Sequence, residues 1–146
     1  MSMGTINMGR VILGGLLAGL VFNLGETVFN LFLFGEQMEA AYQKLGLQMP
    51  GGSAIAVFVV MGFIAGIALV WIYAGIRPRF GPGPKTATFA GLVVWVLGYL
   101  LPTVGYAVQG MIPNSLAVKG VVWGLAELVI AAQVGGWLYR EEAAPA

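Results

Sequence analysis

The sequence predicts an all-α membrane protein: four transmembrane helices in a compact bundle, the third kinked, with a short interfacial helix in the first loop. Three observations predict this class. Hydrophobic residues make up 59% of the 146-residue chain and charged residues 9%, with a mean hydropathy of +0.89; an ordinary soluble domain carries roughly 25% charged residues. The apolar residues fall in four long runs and not in amphipathic stripes. Each run reaches about 20 residues, enough for a helix to cross a hydrocarbon core of roughly 30 Å.

The chain reads as one domain, residues 1–146, with spans near residues 11–34, 54–76, 87–108 and 116–139. Arg10 precedes the first run as in a signal peptide. The run is too long for a signal h-region, however, contains Asn23 and Glu26, and lacks a small-residue cleavage site, so it is expected to be retained. The first link is the longest. In it Met38, Tyr42 and Leu45 recur at i, i+4 and i+7, the pattern of a short helix lying on the membrane surface, until Pro50-Gly51-Gly52 ends it. The second link, Arg77 to Lys85, is basic and proline-rich and is expected to continue neither flanking helix. In the third span Pro102 places its ring against the carbonyl of Gly98, which predicts a kink there. The third link is a short turn holding Pro113.

Positive flanks resist translocation, so the distribution of Lys and Arg orients the chain. Arg10, Arg77, Arg79, Lys85 and Arg140 lie on one side, against Lys44 and Lys119 on the other. Both termini are therefore expected in the cytoplasm, as in a multi-pass protein of a cell membrane. Trp71, Tyr73, Trp137 and Tyr139 fall near the same side, where aromatic interface anchors belong.

The chemistry open to such a chain is narrow. It has no Cys, His or Asp. The usual zinc sites, His-ligated haem, cysteine nucleophiles and Ser-His-Asp hydrolysis are thereby excluded. No catalytic, metal or cofactor site is expected, and an enzyme is not the favoured reading. With a net charge of +1 and scattered basic residues, nothing points to nucleic acid.

Lipid tails are as apolar as leucine, so helices in a bilayer associate through close backbone approach at small residues. Gly15 and Gly19, Gly62 and Gly66, and Gly120 and Gly124 each form a Gly-x-x-x-Gly pair, and these are the candidate packing positions. On the first span Gly15, Gly19, Asn23, Glu26 and Asn30 share one face; on the fourth, Gly120, Gly124, Glu127, Ala131 and Gly135 do the same. Glu26 lies ~12 Å and Glu127 ~16 Å from the outer ends of their spans at 1.5 Å per residue. Both carboxyls are thus expected to point into the bundle at similar depth, making the first and fourth helices neighbours. A charge in hydrocarbon must be neutralised, paired or wetted. Asn23, Asn30 and Thr103 complete the candidate polar site, with Thr27, Tyr99, Tyr106, Gln133 and Lys119 as further partners. Two readings stand side by side: a shared proton or cation site, and a neutral interhelical contact that fixes packing.

The stretches Gly14 to Gly19 (GGLLAG), Arg77 to Lys85 (RPRFGPGPK) and Trp123 to Glu127 (WGLAE) give the chain a resemblance to uncharacterised small bacterial four-span membrane proteins of unknown function. The resemblance implies a bacterial inner membrane and brings no activity or site residue with it. The small multidrug resistance transporters also have four helices and a glutamate in the first. This chain departs from them in its length, its extended first loop, the late position of its acid and its charge bias. The expected role is a structural or accessory membrane subunit, surrounded by lipid and engaged as a homo-oligomer or with a membrane protein partner. The alternative is a small oligomeric proton- or cation-coupled transporter that uses Glu26 and Glu127.

Overall fold

The computed structural model describes residues 5–142, and the regular elements among them are all helical. Four helices are long and apolar enough to cross a membrane: Met8–Leu33, Gly52–Phe80, Pro84–Val108 and Asn114–Leu138. These are the proportions of a multi-pass membrane protein. The chain's first and last four residues, on which the expectation for the termini falls, lie outside the described residues.

Helix α1 (Met8–Thr27) starts where the Asn7 side chain accepts the Arg10 backbone N–H at 3.0 Å, supplying one of the donors that a helix N-terminus leaves free. It does not run to the end of its span as a plain α-helix. Val28–Leu33 forms a π-helical turn, closed by Phe34 N–H donating to the Phe29 carbonyl at 3.0 Å. Helix α2 (Gly35–Lys44) follows at once. Its inward side holds Ala41, buried, and Met38, partly buried next to the preceding Phe34, whereas Leu45 is exposed. The helix is thus where the spacing predicts it, with its apolar face rotated from the Met38-Tyr42-Leu45 line.

Helix α3 (Gly52–Phe80) corrects the expectation for the second link, because Arg77, Pro78 and Arg79 are helical. Pro78 sits in the last turn, where its missing N–H costs one bond and few residues follow to be misdirected. The reversal comes after it, at Gly81 and Gly83, whose φ values of 84° and 121° favour glycine. Helix α4 (Pro84–Trp95) then opens with proline at its first position, the place where a helix has no use for that N–H. A second π-helical turn, Val96–Leu100, precedes α5 (Leu101–Val108). It contains Gly98 and ends before Pro102. An extra residue in the turn lets the chain avoid the clash between a proline ring and the fourth carbonyl back. Helix α6 (Asn114–Leu138) completes the set after Pro113.

The contacts between helices are set by glycine. A Cβ built on Gly19 would lie 2.7 Å from Phe63 Cα, and one on Gly66 would lie 2.7 Å from Gly19 Cα. Gly15 and Gly62 are equally crowded, by Ile67 and by the Asn23 amide. The first two Gly-x-x-x-Gly pairs therefore face each other across α1 and α3. Between α1 and α6 the close approach is made by Gly14 and Gly135: each would drive a Cβ into the other's carbonyl oxygen, to 2.6 and 2.9 Å. The first and fourth spans are neighbours, as the glutamate faces predict. Gly120 and Gly124 depart from expectation. Gly120 meets only the Phe29 ring at an ordinary 3.7 Å, and Gly124 accommodates the Tyr99 ring, whose Cε1 would lie 2.6 Å from an added Cβ. Each of the two is thus met by an aromatic ring, Gly120 by Phe29 and Gly124 by Tyr99.

Leu69, Val70, Leu128, Ala18, Ala90 and Ala131 form the centre of the interior and are almost fully buried, while large side chains such as Phe32, Ile64, Val118 and Trp137 face outward. This inside-out surface is what lipid as solvent requires. Of the expected interface aromatics, Trp71 and Trp137 are exposed. Tyr73 and Tyr139 instead turn inward and meet edge to face at 5.9 Å. Their hydroxyls accept from the backbone N–H groups of Gly83 (3.1 Å) and Asn7 (3.4 Å), and Arg77 pairs with Glu141 at 3.2 Å. The second loop and both flanks of the described chain are thereby tied together at one end, called here the Arg77 end; α2 marks the other. Burial pushes the Tyr139 phenol up from its ordinary value.

Candidate functional site

Tyr99, carried by the π turn of the third span, reaches between the first and fourth helices. Its ring fits against Gly124 and edge to face with Phe22, at 6.2 Å between centroids. There its hydroxyl is in hydrogen-bond contact with Glu26 Oε1 and lies 3.1 Å from Glu127 Oε1. Two carboxyls from different spans are thus joined through one phenol. With one proton to give, the phenol can donate to only one of them at a time.

Asn30, in the π turn that follows α1, extends the cluster. Its Nδ2 donates to Glu26 Oε2 at 3.0 Å and to the Glu26 backbone carbonyl at 2.8 Å. The second bond supplies a partner to a carbonyl beside the π turn, where the regular i to i+4 ladder is interrupted. Both π turns therefore lie at this cluster, one beginning two residues after Glu26 and the other holding Tyr99. Such turns are enriched at functional sites, because the inserted residue re-aims a side chain that a plain helix would point elsewhere.

Glu127 is the deepest member, with only 5% of its surface exposed. Its Oε2 is buried with no hydrogen-bond partner among the described residues. That oxygen presses against Gly25, where any Cβ would overlap it. The Gly25 carbonyl in turn accepts the Trp123 indole N–H at 3.2 Å. An uncompensated carboxyl oxygen in an apolar interior carries a desolvation cost of about 1–3 kcal/mol even when neutral.

The structure places Glu26, Glu127 and Asn30 together and sends the other two expected members elsewhere. Asn23 donates to the Val59 carbonyl at 3.1 Å, on the α3 side of α1. A shared face on a helical wheel is broad enough to serve two neighbours, and residues 23 and 26 are split between them. Thr103 lines an apolar groove of about 460 Å³ between α5 and α6 and does not join the carboxyls. Gly98 has open space beside it. Among the further partners, Thr27 bonds the Asn23 carbonyl, Gln133 bonds Thr88, and Lys119 donates to Gln37 at 2.8 Å and sits over the Phe34 ring. Sequence reasoning missed Gly25 and Trp123. Their signal was adjacency: Gly25 precedes one glutamate, and Trp123 lies one turn before the other.

No group of three or more potential metal-ligating His, Cys, Asp or Glu side chains occurs among the described residues. What the arrangement can do is hold one mobile proton, or a small cation in its place, between two carboxyls in a low-dielectric setting. No family model, curated protein or solved structure matches the chain.

Proposed function

We propose that this protein is a small proton-coupled membrane carrier whose working element is the Glu26–Tyr99–Glu127 cluster. The observation that carries the proposal is the joining of two carboxyls from separate spans by a single hydroxyl donor. Two ionised carboxylates side by side in hydrocarbon are costly, and one proton between them removes half the charge. Loss of that proton restores repulsion between the first and fourth helices. Tyr99 transmits the change to the third span, where the π turn offers a yielding point beside Pro102. Protonation and helix arrangement are thereby coupled.

In this reading the four spans form a compact bundle, the third is kinked at its π turn, and α2 lies in the interface. The Arg77 end, with Arg10, Arg77, Arg79, Lys85 and Arg140, faces the cytoplasm of a bacterial inner membrane. Four helices enclose little space, so the carrier works as a homo-oligomer. The accessory-subunit reading is the alternative; the carrier reading is supported by the packing of Gly15, Gly19, Gly62 and Gly66 at the contact of α1 with α3 within the chain.

The test is proton release by purified protein in unbuffered detergent after an alkaline pH jump, read with a pH dye. Wild type is expected to release about one proton per chain more than the folded E26Q/E127Q double variant, as a shared-proton pair requires. Equal release from the two would reject the site.

A further inference from the structure

We infer that Trp123 is a further donor of the carboxyl site, its indole N–H resting on the Gly25 carbonyl while Glu127 is protonated and passing to Glu127 Oε2 when the pair loses its proton. This rests on the proton-site reading above and names the group that receives the charge. Donors are unevenly shared between the two carboxyls. Glu26 has Tyr99 at Oε1 and Asn30 at Oε2. Glu127 has only its share of the Tyr99 hydroxyl, at Oε1, and its buried Oε2 has no partner among the described residues. With one proton between them, the better-served Glu26 holds the charge, and loss of that proton leaves a second charge on Glu127. A carboxylate so deeply buried needs a donor at each oxygen.

Few side chains can supply one. On α6 the residues three and four positions from Glu127, which share its face, are Trp123, Gly124, Ile130 and Ala131. Only Trp123 carries a donor. On α1, Asn23 is held by the Val59 carbonyl and Thr27 by the Asn23 carbonyl, and Asn30 beyond it is held by Glu26.

Trp123 is also free to change partners. Its bond to the Gly25 carbonyl measures 3.2 Å, at the long edge of the usual range of roughly 2.7–3.2 Å; Trp95 holds the Val121 carbonyl at 2.9 Å. The Gly25 carbonyl also accepts the Val28 backbone N–H, so it keeps a partner when the indole leaves. Gly25 presses against Glu127 Oε2, which makes the present acceptor and the new one neighbours, and the indole already borders the Glu127 carboxyl. A hydrogen bond to a charged acceptor is about twice as strong as one between neutral groups. The indole therefore moves to Oε2 when Glu127 ionises and returns when it is protonated.

The titratable groups of the site are Glu26, Tyr99 and Glu127. Lys119, one turn before Trp123 on α6, donates to Gln37 and lies over the Phe34 ring. On α2, Glu36, Glu39 and Lys44 are exposed and Tyr42 is half-buried; Tyr106 on α5 is exposed. Helix α3 carries Tyr73, Arg77 and Arg79 in its last turns, at the Arg77 end.

The experiment follows the indole N–H groups of nitrogen-labelled tryptophan in the detergent-purified protein by proton–nitrogen correlation NMR, across pH. The four tryptophans are assigned by single Trp→Phe substitutions, and the infrared band of the protonated carboxylic acid reports the state of the pair in the same samples. The Trp123 signal is expected to shift downfield as that band disappears, with the Trp95 signal unmoved, and the Trp123 shift is expected to be absent from E26Q/E127Q. A band that titrates while the Trp123 signal stays still overturns the exchange of partners and leaves the proton site standing. A Trp123 shift that persists in E26Q/E127Q also overturns it, because another group is then the cause. No titrating band and no movement of Trp123 overturn the exchange and the proton site together.

Discussion

Tyr99 touches both carboxyls from a third helix, and that single hydroxyl organises the polar seam. Replacing it by phenylalanine keeps the ring in its Gly124 socket but leaves two buried carboxyls without their common donor. Y99F should therefore lower stability by about 1–3 kcal/mol, read as thermal unfolding in detergent, and should shift the pH at which the extra proton, absent from E26Q/E127Q, is released. Gly25 is the second sensitive position. An alanine there places its Cβ on Glu127 Oε2, and overpacking of this kind costs about 1–3 kcal/mol. G25A should thus mimic Y99F in the same two measurements although it removes no polar atom. The glutamates themselves were legible in the sequence, since an acid in an apolar run announces itself. Their partner was not. Tyr99 is one of several hydroxyl-bearing residues in the third span, and only the π turn decides that it, and not Thr103 or Tyr106, points at them.

Among the helices, glycine spacing was a good guide where two backbones meet and a poor one where a side chain fills the gap. Gly-x-x-x-Gly is the same pattern in both cases, and the sequence does not show what lies opposite. The distinction is measurable. Gly66→Ala would push a methyl group into the backbone of Gly15 and Gly19, which cannot move aside, at a cost of about 1–3 kcal/mol. Gly120→Ala meets only a ring edge at 3.7 Å and should be neutral or stabilising by up to ~1 kcal/mol, through the lower entropy of its unfolded chain. Thermal unfolding of the two variants side by side checks the pair. Pro78 illustrates a different blind spot. Proline near a basic, glycine-rich loop reads as a helix stop, yet in the last turn it is tolerated. P78A should accordingly shift stability by less than ~1 kcal/mol. The π turns were wholly illegible, because one inserted residue in a ladder leaves no trace in an all-apolar stretch.

At the level of the whole molecule, composition and run length determine the class, and the charge count supports an orientation. The neighbour relation between the first and fourth spans followed from matching the depths and faces of two glutamates, and Gly14 against Gly135 realises it. What the sequence could not supply is the enclosure of the carboxyl pair: Ala18, Leu69 and Leu128, from three separate spans, pack on its Arg77 side, and Phe29, Ala41 and Leu116 pack at the α2 end.

In the proposed function Glu26 and Glu127 share one titrating proton through Tyr99. Difference infrared spectroscopy of the reconstituted protein across pH reads this most directly, through the carbonyl stretch of a protonated carboxylic acid. Wild type should show one such band that disappears on raising the pH, shifted in Y99F by loss of its hydrogen bond and absent from E26Q/E127Q. A wild-type spectrum with no titrating carboxylic band, or with one that persists unchanged in the double variant, would contradict the account.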